Sequence, residues 1–159
     1  MRLLGARITA LKAEAYNLHT RIRDLVNQHA PQLLEQNGVG SDSAAALLIA
    51  TGDNPERIAT EASFAALCGV APVEASSGMS TRLRLNRGGS RQANAALHRI
   101  ALSRLRWRDE TIAYVHRRLA EGKTRREIIR CLKRSIAQQL FPLLRNPNRP
   151  PATPQSPAA

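Results

Sequence analysis

The residues best equipped for chemistry lie in Gly69-Val-Ala-Pro-Val-Glu-Ala-Ser-Ser77-Gly78 and in the arginine-rich run that follows it to Arg91. Ser77 stands beside a glycine in a loop after a short apolar helix, with Arg82, Arg84, Arg87 and Arg91 downstream. A hydroxyl on a turn next to guanidiniums has the means to attack a phosphodiester, or simply to hold one. The oxygen is a nucleophile or a hydrogen-bond donor, and the planar arginine forks neutralise the phosphate oxygens. An isolated Ser-Gly is ordinarily a solvated turn. Its surroundings decide between the two readings.

A second candidate site is Asn37-Gly38-Val39-Gly40-Ser41-Asp42-Ser43, placed between a short helix and an alanine-rich one. Helix, Gly-hydrophobic-Gly turn and helix form the pattern of a helix-hairpin-helix. Gly38 and Gly40 permit the tight turn, and the second helix begins with unpaired N–H groups under a positive dipole. Those donors, with Ser41, bind a phosphate without reading sequence. Ser41 or Asp42 acting as an ordinary N-cap fills the same donors, so both readings stand. His98 and His116 fall on helices as surface or partly buried side chains, and His19 and His29 lie on the first helix. None of the four is expected to act as a base for Ser77. No cluster has metal-ligand spacing.

Charge sets the partner class. The net charge is +12, but residues 1–81 carry six basic and eight acidic side chains, whereas residues 82–149 carry eighteen basic and four acidic. A half at −2 joined to a half at +14 points to a polyanion met by the second half. Sixteen of its eighteen cations are arginine, which favours bidentate phosphate contact. Nucleic acid fits better than a membrane, because no helix pairs a basic face with exposed aromatic anchors. No apolar run approaches the length of a membrane span, and no signal-peptide core precedes the first helix. Cys68 and Cys131 read as buried or partly buried thiols of a reduced, cytoplasmic protein.

The elements that position these residues are helical. At 3% aromatic residues, the core must come from Leu, Ile, Val and Ala, which favours closely packed helices. Residues 2–29 read as one long amphipathic helix: Leu4, Ile8, Leu11, Ala15, Leu18, Ile22 and Leu25, with Val26, follow a heptad-like seam. The seam pairs with a second copy of the chain, or it packs on the protein's own body or an upstream domain. Pro31–Gln36 makes a short helix, and Ala44–Ala50 lies in the next. Thr60 caps Glu61–Cys68, which Gly69 stops.

Thr81-Arg-Leu-Arg-Leu85 alternates as an extended arm or short edge ribbon, and Asn86-Arg-Gly-Gly89 turns into a helix capped by Ser90. Arg91–Trp107, Glu110–Glu121 and Arg125–Leu140 complete the bundle. Asp109 caps the second of these, which buries Ile112, Val115 and Leu119. The third opens with the capping box Thr124-x-x-Glu127 and ends or kinks at Pro142. Expected organisation is therefore all-α: a coiled-coil-like linker at 1–36, a helix-hairpin-helix and bundle at 37–145, and a disordered proline-rich tail at 146–159.

This order of pieces resembles the C-terminal transposase domain of a bacterial insertion-sequence family. Its full-length members pair an N-terminal RuvC-like DEDD nuclease domain with a C-terminal serine-bearing domain, and the family includes the Piv-type DNA invertases. The likeness is carried by Asn37-Gly-Val-Gly40 leading into Ala44–Leu48 and Thr51-Gly52-Asp53, and by Phe64-Ala-Ala-Leu-Cys-Gly-Val-Ala-Pro72. It continues through Ser77-Gly78, Asn86-Arg-Gly-Gly-Ser90 and Ala95-Ala-Leu97, covering about residues 1–145.

The resemblance implies that Ser77, placed in a Pro-x4-Ser-Gly motif from Pro72, is the nucleophile that joins DNA phosphate. It implies backbone contacts at Arg82, Arg84, Arg87 and Arg91, and it implies DNA, a structured guide RNA and further copies of the chain as partners. Mg²⁺ is implied only for the nuclease domain, whose four acidic ligands have no counterpart here. Met1 falls within what would be the linker helix, so a truncated frame, a fragment or a stand-alone relative is expected, inactive by itself and associated with the bacterial nucleoid. The alternative function is a non-catalytic nucleic-acid-binding module in which Ser77 only donates a hydrogen bond. A helical scaffold with solvated arginines is the weakest reading.

Overall fold

The computed structural model describes residues 2–52, 58–74, 83–86 and 88–146. Seven helices and one two-stranded ribbon lie among them: α1 (Arg2–His29), α2 (Pro31–Leu34), α3 (Ser41–Thr51), α4 (Glu61–Leu67), β1 (Pro72–Glu74), β2 (Leu83–Leu85), α5 (Arg91–Trp107), α6 (Asp109–Ala120) and α7 (Arg125–Arg145). The all-α class expected from the scarcity of aromatic residues is the one observed.

Helix α5 is the axis of the body, packing against α3, α6 and α7. Its buried stripe is Ala93, Ala96, Leu97, Ile100 and Ala101, all fully inaccessible. Three alanines in that stripe let α3 approach closely, where Ala44 and Leu47 are equally buried. Small side chains thus do the work that aromatic rings do elsewhere. The only described aromatic pair is Phe64 of α4 with Phe141 of α7, ring centroids 6.2 Å apart.

Local signals set most boundaries. Ser90 caps α5 by accepting from Ala93 N, and Thr124 with Glu127 forms the expected capping box of α7. At the end of α4, Val70 N donates to Ala65 O at 2.9 Å and Gly69 N to Ala66 O at 3.0 Å. This is a Schellman closure that places Gly69 at φ +65°.

Several expectations are corrected. Pro142 does not end α7, which runs to Arg145. The exposed proline forfeits a backbone bond, but Leu140 and Leu144 are buried one turn apart on the same face and hold the helix together. Asn146 also belongs to the body, since its carbonyl accepts from Gln32 Nε2 at 3.1 Å. The remainder of the expected tail, from residue 147, lies outside the described residues. Helix α6 includes Asp109, with Arg108 at its N-cap. It buries only Thr111; Ile112 and Val115 are half-buried and Leu119 is exposed, because α6 meets the body along one edge only, at α5 and α7. Pro72–Glu74, expected within the serine loop, forms strand β1. The extended arm is its partner, antiparallel with Val73 opposite Arg84. Cys131 is exposed, not buried.

The tightest constraint is a backbone crossing. A Cβ on Gly89 would stand 2.2 Å from Gly69 N and 2.5 Å from Gly69 Cα, both backbone atoms unable to yield. There Ser90 N donates to Leu67 O at 2.6 Å, joining the start of α5 to the end of α4. Gly89→Ala is therefore expected to destabilise the protein by about 3 kcal/mol, as overpacking does. Gly5→Ala, with open space around its Cβ, is expected to be neutral or slightly stabilising. Urea unfolding of the two variants measures the contrast, and equal midpoints would remove the crossing from the account.

Candidate nucleic-acid interface

The ribbon and α7 enclose a groove of about 430 Å³. One wall is Gly69–Pro72 and Arg84 of the ribbon; the other is Lys123 and the α7 face bearing Arg130 and Lys133. Glu127 also lines it, but its carboxylate accepts from Thr124 N at 2.9 Å and from the Thr124 hydroxyl at 2.7 Å. Those bonds hold its pKa below the ordinary carboxylate value. Arg134 lines the groove and is bound to Glu61 of α4. Arg84, Lys123, Arg130 and Lys133 form no salt bridge among the described residues.

Lys133 is the least exposed of these cations, at 9%. Its Nζ donates to Asn94 Oδ1 at 2.8 Å. The Asn94 amide in turn donates to Cys68 O at 2.8 Å and Gly69 O at 3.2 Å. Burial, then the neighbouring Arg130, lower the Lys133 pKa from the ordinary lysine value. The groove therefore opens onto the same α4–α5 junction that the Gly69–Gly89 crossing closes.

The expected site residues divide into three groups. Ser77, Arg82 and Arg87 lie outside the described residues. The flanking strands of the Ser77 segment, β1 and β2, are paired at Glu74 and Leu83. Arg84 and Arg91 are both exposed, with Arg84 on β2 in the groove wall and Arg91 at the first position of α5.

The third group is the α2–α3 turn. Gly38 adopts φ +79°, and a Cβ there would meet Ile100 O at 3.2 Å, so the turn presses on α5. Arg104 anchors it: Nε donates to Asn37 O at 2.8 Å, while its NH1 group donates to Gln139 Oε1 at 2.6 Å. Gly40, exposed, is the N-cap of α3. Neither Ser41 nor Asp42 caps the helix. Ser41 is buried, its hydroxyl 3.1 Å from His19 Nε2 of α1, and Asp42 lies 4.0 Å from the same nitrogen.

Sequence reasoning missed Asn94, Lys123, Arg130 and Lys133 as groove residues. For Lys133 a signal existed: it sits four positions after Ile129, within the apolar stripe that continues to Ile136 and Leu140. Of the aromatics, Trp107 is 76% exposed beside Arg106, and Tyr114 is half-buried near Arg117 and Arg118. His98 is half-buried on α5, and His116 is exposed on α6. Burial pushes the Cys68 thiol up to about 12, which disfavours its thiolate. Among the described residues no group of three or more His, Cys, Asp or Glu side chains is placed to hold a metal ion. No described helix is long and apolar enough to cross a membrane.

The chain has relatives among known proteins. The chain is 32% identical over 146 residues to the insertion element IS110 uncharacterized 43.6 kDa protein of Streptomyces coelicolor, an alignment covering 90% of this chain and 36% of that protein. The chain thus spans about a third of the length of that relative. A sequence profile of the transposase IS116/IS110/IS902 family matches residues 30–116, from the end of α1 into α6. That match takes in the α2–α3 turn, the ribbon and the α4–α5 junction, more than half of the 159 residues, and the chain belongs to the transposase IS116/IS110/IS902 family.

Proposed function

We propose that this chain is the DNA-gripping, serine-bearing part of an insertion-sequence transposase, and that Ser77 acts in a composite site completed by a RuvC-like DEDD nuclease domain. The observation that carries the reading is the cationic groove against the β1–β2 ribbon, because Ser77 belongs to the segment between those strands. In the reaction, Ser77 Oγ bonds to phosphorus as the bond to one phosphodiester oxygen breaks, and the serine proton passes by way of a base to that oxygen, which leaves as a strand-end hydroxyl. A second exchange by a DNA hydroxyl releases the serine. Charge builds on the non-bridging oxygens at each step, and Arg82, Arg84, Arg87 and Arg91 are assigned to stabilise it.

The α2–α3 turn serves as a helix-hairpin-helix that holds the duplex by its backbone. Gly38 sets the turn, and phosphate contact falls to Gly40 and the first N–H groups of α3. Ser41, tied to His19, supports the turn from behind. A structured guide RNA is the second polyanion assigned to the basic half.

Oligomerisation is assigned to α1. The described residues of the body do not cover its seam: Leu4, Ile8, Leu11 and Leu18 are all 45% or more exposed, while among the described residues only the end of the helix, at Ile22 and Val26, joins the core. A second copy of the same helix is the occupant that a repeated heptad spacing fits.

Two measurements test the reading. Labelled duplex DNA and a structured RNA are expected to bind with affinity that falls steeply with salt, as phosphate contacts require. Ser77→Ala is expected to leave that binding intact and to reduce strand joining at least about 10³-fold in a transposase carrying the nuclease domain. Joining at the wild-type rate would make the chain a binding module instead. Sedimentation is expected to give a multimer for the wild type and a folded monomer for Leu11→Glu/Leu18→Glu; a monomeric wild type at tens of micromolar would dismiss the α1 pairing.

A further inference from the structure

Most cations of the basic half sit on the surface, where water compensates them. Lys133 does not. It is 9% exposed, and among the described residues its three N–H donors find one acceptor, the neutral Asn94 Oδ1. That acceptor is locked, because rotating the Asn94 amide would forfeit its bonds to Cys68 O and Gly69 O. Arg130 adds repulsion and lowers the Lys133 pKa further than burial alone. A largely buried ammonium with a neutral partner and a positive neighbour is incompletely compensated, and an anion entering the groove would offset that.

The groove has the chemistry to admit that anion. Arg84 and Arg130 are exposed at its rim and carry no carboxylate partner among the described residues. Among the described lining residues the one acidic side chain is Glu127, whose carboxylate is held by Thr124 and whose single charge is outnumbered by Arg84, Lys123, Arg130 and Lys133. A phosphodiester brings one negative charge and two non-bridging oxygens, enough for one ammonium and one guanidinium fork.

We propose that this groove seats a single phosphodiester of a DNA strand, with Lys133 on its floor held in place by Asn94, and with Arg84 and Arg130 closing over the phosphate. The proposal rests on the nucleic-acid reading above and names residues outside it: Lys133, Asn94 and Arg130 become phosphate-positioning groups. A seat at the ribbon fixes the register of the strand relative to the segment containing Ser77, whereas scattered surface arginines only attract it.

The test uses Lys133→Met, which keeps the packed stem and removes the charge, with circular dichroism to verify the fold. Wild-type thermal stability is expected to rise in inorganic phosphate relative to chloride at equal ionic strength, and Lys133→Met to lose that rise. Duplex DNA affinity is expected to fall about tenfold in Lys133→Met, with the salt slope shallower by about one. A folded Lys133→Met that keeps the phosphate response and wild-type DNA affinity would overturn the seat and leave Lys133 a structural lysine.

If Lys133→Met does not fold, Arg84→Ala/Arg130→Ala at the exposed rim decides. Loss of the phosphate response supports the seat, and its retention overturns it. A wild type that binds no DNA yet shows a Lys133-dependent phosphate response upholds the seat while the nucleic-acid reading fails. Lys133-dependent binding of RNA with none of DNA overturns the DNA assignment.

Discussion

Everything around the groove depends on two backbones meeting without side chains between them. Gly89 rests on Gly69 at a separation no Cβ tolerates. That contact puts the start of α5 against the end of α4, close enough for Ser90 N to reach Leu67 O. It also lets Asn94, one turn into α5, satisfy the last carbonyls of the α4 turn. Asn94 then has one acceptor left over, and α7 supplies Lys133 to it. The strands leave from either side of this junction, so the ribbon inherits its position. A chain with few aromatic residues thus gains rigidity from close backbone approach and directed hydrogen bonds more than from bulk.

The charge of the second half is not all available to a ligand. Arg104 is consumed in holding Asn37 and Gln139. Arg108, Arg118 and Arg134 are paired with Glu110, Glu121 and Glu61. Four of the sixteen arginines of that half are therefore structural, and a cationic surplus remains. Near the ribbon it gathers where, among the described lining residues, four cations face the single carboxylate of Glu127, which also serves as a helix cap. Composition alone measures how much positive charge exists, and only the fold says where it is uncompensated.

The helices were largely legible because several begin or end on a residue with a local mechanism: Ser90, Thr124 and Glu127 at starts, Gly69 and Gly122 at stops. The errors have one origin, which is that tertiary contacts overrode a local rule. Burial of Leu144 carried α7 through Pro142, and contact with α5 and α7 along one edge only left Leu119 exposed on an amphipathic helix. Pairing across residues 75–82 made a strand of Pro72–Glu74, which no period-2 pattern announces in three residues. At the site, arginine-rich spacing drew attention to Arg84 and Arg91, but the Lys133–Asn94 pair joins residues 39 positions apart. Only packing reveals such a pair. Ser41 shows the reverse case, a residue of the right type at a helix start whose hydroxyl is taken by His19.

Helix α1 is 28 residues long, about 42 Å at the usual rise of an α-helix. Every described side chain from Leu3 to His19 is exposed. Its bearing is set at the base, where Ile22 and Val26 enter the core and His19 meets Ser41. A rod clamped at one end behaves as a lever arm. Whatever docks on its outer turns is held roughly 25 Å from the clamp, and a small tilt at the base becomes a large displacement at the tip. Because that clamp includes the first residue of α3, the same turn that faces nucleic acid in the proposed function would also set the angle of the arm.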